Sequence, residues 1–125
     1  MRAHLLLLLL PAALPLAACH DAACPGFTQL PAIEVEVRDT FGIAQAQGAL
    51  GILTDGAYVD TMHIELTLPD GTPLGLAGAI NRRGTYDILI RKTGFLDWTA
   101  SNVASRSDAC GIIPQKVFAT LIPVP

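Results

Sequence analysis

The stretch Gly84–Phe95, GTYDILIRKTGF, limits the fold more than any other part of the chain. It alternates. Tyr86, Ile88 and Ile90 fall on one side of an extended backbone, and Asp87, Leu89 and Arg91 fall on the other. A strand repeats every two residues, so this pattern buries one face and wets the other. Gly84 and Gly94 bound it with turn chemistry. Any other apolar run must then pack on or beside this strand.

Ile33–Arg38 repeats the pattern, with Ile33, Val35 and Val37 inward and Glu34, Glu36 and Arg38 outward. Asp55-Gly56 between apolar runs 48–54 and 57–62 is a strong hairpin signal. The run 63–68 continues the alternation, with Ile64, Leu66 and Leu68 expected inward, until the turn Pro69-Asp70-Gly71-Thr72-Pro73. Leu74–Ile80 is apolar and glycine-rich, expected as a weak or edge strand. A strand headed by Phe95-Leu96-Asp97-Trp98 and reaching about Val103, a polar loop Ser105–Gly111 and a last strand Lys116–Ile122 complete the series. Only Ala100–Ser107 hints at a helical period. About seven short strands with frequent turns predict an all-β sandwich, of a size suited to one core.

The first 18 residues read as a targeting segment. Arg2 and His4 precede the leucine run Leu5–Leu10, which is too short to span a bilayer. Leu16-Ala17-Ala18-Cys19 resembles the bacterial lipobox. The resemblance implies that Cys19 becomes the lipidated N-terminus of the mature protein, an anchor to the membrane, with an ordinary cleaved signal that leaves Cys19 a thiol as the alternative. Residues 19–31 are expected to be a tether and 32–125 the sandwich domain. His20, not Asp, follows the lipidated position, which favours the outer membrane of a bacterial envelope. Lipidation would leave Cys24 and Cys110 as an even pair in an oxidising compartment, where a disulfide is the default and two free thiols the alternative.

Ile33–Asp39, Gly48-Ala49, the Gly84-x-Tyr86-x-Ile88-x-Ile90 run and Gly94-Phe95 together resemble the carboxypeptidase regulatory-like domain. The resemblance covers nearly all of 32–123. It implies a transthyretin-like (prealbumin-like) β-sandwich, close to the immunoglobulin architecture, and no shared catalytic set. The region 58–80 is longer than the family's compact middle. Transthyretin-like hydrolases end in a Tyr-Arg-Gly-Ser tetrapeptide, which the final Leu-Ile-Pro-Val-Pro does not match.

The net charge of −3 gives no basic excess for nucleic acid. Beyond the first 18 residues the only histidines are His20 and His63, and no Gly-x-Ser-x-Gly is present, so catalysis is not expected. Metal binding at Cys19, His20 and Cys24 is not expected either, because lipid and disulfide claim the thiols. Asp55, Asp60, Asp70, Asp87 and Asp97 are too scattered for a calcium loop. No cofactor is implied. Arg82-Arg83 and Arg91-Lys92 sit at opposite ends of one strand, roughly 25–30 Å apart at about 3.3 Å per residue, so they cannot share a small anion. Trp98 is expected in the core, with an exposed carbohydrate platform as the alternative. Tyr86 is expected in the core with its hydroxyl on a loop backbone. Leu89, on the outer face, together with Leu74 and Leu76, is the candidate contact patch. The leading expectation is a lipid-anchored binding or scaffold module for an envelope protein or polysaccharide. A small transthyretin-like hydrolase using His63 is the remaining alternative.

Overall fold

The computed structural model describes Cys24 and residues 29–125. The expected signal segment, Cys19 and His20 lie outside these residues. Among the described residues ten strands follow in order: β1 Pro31–Asp39, β2 Leu50–Asp55, β3 Tyr58–Thr61, β4 His63–Thr67, β5 Pro73–Ile80, β6 Thr85–Arg91, β7 Trp98–Ala104, β8 Arg106–Asp108, β9 Gly111–Ile113 and β10 Gln115–Leu121. The fold is an all-β sandwich. One sheet runs β10-β1-β5-β4, the other β3-β2-β6-β7, and β8-β9 forms a separate hairpin. The two layers therefore hold eight strands. All pairings are antiparallel except β1 with β10, which run parallel from Ile33↔Gln115 to Asp39↔Leu121.

The alternating residues of β1 and β6 build the core. Ile33, Val35, Val37, Tyr86, Ile88 and Ile90 are buried, together with Leu53, Leu76 and Leu121. The Asp55-Gly56 hairpin forms as expected between β2 and β3. The next step does not. The chain leaves one sheet at Thr61 and joins the other at His63, with buried Met62 bonded to the Gly51 carbonyl between them. Alternation passes through this junction unbroken, so sequence pattern alone does not mark the change of layer. Once across, β4 is a sheet edge, and Ile64 is exposed rather than inward.

Leu74–Ile80 also departs from expectation. It is an inner strand, β5, paired on both sides by β1 and β4. Its small residues fit close neighbours. A Cβ on Gly75 would lie 2.7 Å from Leu66 Cδ1 and 2.8 Å from the Val35 carbonyl oxygen. One on Gly78 would lie 2.9 Å from Leu53 Cδ1 in the opposite sheet. The expected loop Ser105–Gly111 instead contributes most of the β8-β9 hairpin, and Ala100–Ser107 is strand apart from Ser105. Cys110 occupies the hairpin turn and is disulfide-bonded to Cys24.

Register gives the sandwich two distinct poles. The near pole carries the start of β1, docked through reciprocal Leu30–Asn81 hydrogen bonds, and the β2-β3 and β5-β6 turns. The Cys24–Cys110 bridge lies at this end, on the hairpin that precedes β10. The far pole carries the β1-β2 loop, the β6-β7 loop and the end of β10.

Candidate functional site

At the near pole, Arg82 closes the sandwich corner. Its Nη1 donates to Asp55 Oδ2 at 2.9 Å and to the Tyr86 hydroxyl at 3.1 Å. That hydroxyl donates back to the Arg82 carbonyl at 2.6 Å, as expected for a core tyrosine anchored to a loop. The guanidinium also lies 3.8 Å from the Tyr58 ring centroid. Arg82 is thus spent on structure. The other cations of the two basic pairs are also engaged, except Arg83. Arg91 bonds Asp97 at 2.9 Å, and Lys92 bonds Gln45.

The five scattered aspartates have structural partners. Asp55 and Asp97 pair with Arg82 and Arg91. Asp60, Asp70 and Asp87 accept the backbone N–H of Ala79, Thr72 and Asn102. Among the described residues no group of three or more His, Cys, Asp or Glu side chains is placed to hold a metal ion. His63 is a surface residue on edge strand β4, with its Nε2 3.0 Å from Glu65.

Two surfaces have the character of binding sites. The first is a groove of about 370 Å³ on the outer face of the second sheet. Alternation puts Ile52 and Thr54 of β2, Asp87 and Leu89 of β6, and Thr99 and Ser101 of β7 along it. Leu89 thus joins a site with an aliphatic floor and hydroxyl and carboxylate neighbours. Trp98 does not join it. Paired with buried Ile90, it is half-buried against the core.

The second surface is the far pole. Phe41 and Ile43 in the β1-β2 loop, Leu96 in the β6-β7 loop, and Ile122 and Val124 after β10 are all exposed, Phe41 at 84%. Hydrogen bonds from Leu96 N–H to the Ile122 carbonyl and from Val124 N–H to the Gly94 carbonyl knit two of these segments together. Asp39↔Leu121 brings the third beside them.

Beneath this pole lies a polar network that sequence reading missed. Asp39 Oδ1 accepts the N–H groups of Phe41 and Ile43 at 2.9 and 3.0 Å. Its Oδ2 accepts Gln45 Nε2 at 3.0 Å. Lys92 Nζ donates to Gln45 Oε1 at 2.8 Å and to the Gln45 carbonyl at 3.1 Å, 5.9 Å from the Phe95 ring centroid. Burial alone would raise the Asp39 pKa, but the bonds from Ile43, Gln45 and Phe41 outweigh it and hold the carboxyl below its ordinary value. Burial lowers the Lys92 pKa. Nothing in the sequence pairs Gln45 with a lysine 47 positions away.

No family model matches the chain, and no curated protein matches it significantly.

Proposed function

We propose that this protein is a lipid-anchored binding module of a bacterial envelope, which presents its far-pole loops to a protein partner. The carrying observation is the polarity of the molecule. The disulfide-pinned segment that follows the expected anchor meets the sandwich at one end, and the exposed apolar loop tips cluster at the other. Apolar side chains held on loops of a rigid sandwich are a common means of partner contact. The cations around them do not define an anion site, since Arg38 and Arg91 are paired with Glu36 and Asp97. The two-sheet architecture also supports the resemblance to the carboxypeptidase regulatory-like domain, an accessory module without its own catalytic set.

The test uses two variants crosslinked in native envelopes. Phe41→Ser/Ile43→Ser/Leu96→Ser should stay in the membrane fraction and melt like the parent, yet lose the crosslinked partner. Cys19→Ala should leave the membrane fraction. Partner capture unchanged in the triple variant overturns the docking surface, and membrane retention of Cys19→Ala overturns the anchor.

A second reading has one observation in its favour. The Leu89 groove, with Thr54, Thr99, Ser101 and Asp87 around it, offers hydrogen-bonding groups suited to a polysaccharide segment. This moves the carbohydrate alternative from Trp98 to the outer sheet face. Loss of polysaccharide retention on Leu89→Arg, with the far-pole variant unaffected, would select it.

A further inference from the structure

The Lys92–Gln45–Asp39 arrangement puts a nucleophile, an electrophile and a proton carrier in a row. Replacing the nitrogen of a primary amide by an amine needs the amine at the carbonyl and a route for a proton to the departing nitrogen. Lys92 Nζ is 2.8 Å from Gln45 Oε1. The carbonyl carbon therefore lies within about 4 Å of Nζ, that distance plus a C=O bond of about 1.23 Å. The second bond, to the Gln45 main-chain carbonyl, holds the amine beside this side chain. On the leaving side, Gln45 Nε2 already rests on Asp39 Oδ2. The carboxylate cannot swing away, because its other oxygen is fixed by the N–H groups of Phe41 and Ile43. Burial favours the neutral amine at Lys92. Holding the reactants together in this way is worth a large effective concentration.

We propose that Lys92 and Gln45 join in an intramolecular isopeptide bond, with Asp39 carrying the proton. Lys92 Nζ, as the free amine, attacks Gln45 Cδ. The Cδ–Nζ bond forms and the Cδ–Nε2 bond breaks. Nζ gives its proton to Gln45 Oε1, to which it is already hydrogen-bonded, and the Asp39 carboxylate, bonded to Nε2, relays a proton to that nitrogen, which departs as ammonia. Nothing is oxidised or reduced, and no co-reactant is consumed. The product staples the β1-β2 loop to the β6-β7 loop. It links the two sheets at the far pole, as the disulfide secures the near one.

The intact mass of the folded, unreduced protein tests this. The expected mass is lower by one molecule of ammonia than that of the disulfide-bonded chain, and digestion should yield a branched peptide joining Gln45 to Lys92. Lys92→Arg keeps the cation and a hydrogen-bond donor but supplies no nucleophile. It should fold, by its far-ultraviolet circular dichroism, and show no loss of ammonia. Asp39→Asn should form the bond about a hundredfold more slowly in a refolding time course. An unshifted parent mass after incubation at mildly alkaline pH overturns the proposal. So does ammonia loss that persists in Lys92→Arg, which would place the loss at another amide.

Discussion

Tyr86 shows how one side chain joins core and surface. Its ring is fully buried, and its hydroxyl both donates to the Arg82 carbonyl and accepts from the Arg82 guanidinium. Removing that oxygen leaves a carbonyl and a charged donor short of a partner at a partly buried corner. Tyr86→Phe should therefore lose about 1–3 kcal/mol of stability, read as a lower urea midpoint at unchanged m-value. An unchanged midpoint would mean that water replaces the hydroxyl at no cost. The buried ring was legible from alternation alone. The role of Arg82 was not, because its partner Asp55 is 27 residues away and sits in a turn of its own. Lys92 makes the same point. As a sequence feature it was half of a basic pair, and only folding gives it Gln45 and Asp39.

Among the elements, β5 is the most instructive. Its sequence PLGLAGAI lacks polar alternation, and glycine weakens a strand in isolation. It nevertheless runs inside the sheet, because β1, β4 and the opposite layer all approach its backbone closely. At Gly75 even a methyl group would meet the Val35 carbonyl, which belongs to the backbone of the central strand and cannot move aside cheaply. Gly75→Ala should cost about 1–3 kcal/mol through overpacking, measured by thermal or urea unfolding. Gly94, with open space where a Cβ would stand, is a different case, since its φ of 89° makes substitution a matter of backbone strain instead. A Gly75→Ala protein as stable as the parent would show that β1 and β5 can separate without loss.

At the scale of the whole molecule, the disulfide closes a sequence separation of 86 residues. It joins the approach to β1 to a hairpin that belongs to neither layer of the sandwich. In a chain-entropy treatment such a closure stabilises by about 4–5 kcal/mol, chiefly by restricting the unfolded chain. Cys24→Ser/Cys110→Ser should keep the strand signature of the parent and unfold at a clearly lower denaturant concentration. Loss of strand content in the unstressed variant would mean that the bridge shapes the sandwich itself.

What the sequence determined by itself was the class of fold, most turns and the inward faces of β1 and β6. These follow from the two-residue period of an extended chain and the backbone freedom of glycine, both local properties. The pairing of Cys24 with Cys110 was also reachable, by parity rather than geometry. The change of sheet at Met62, the inner place of β5 and the parallel run of β1 and β10 arise from folding. Those outcomes depend on which strands lie side by side, and period-two alternation looks the same in either sheet. The far-pole surface and its Asp39–Gln45–Lys92 network belong to the same class. They assemble from three loops distant in sequence, and each becomes a neighbour of the others only once the two layers have closed.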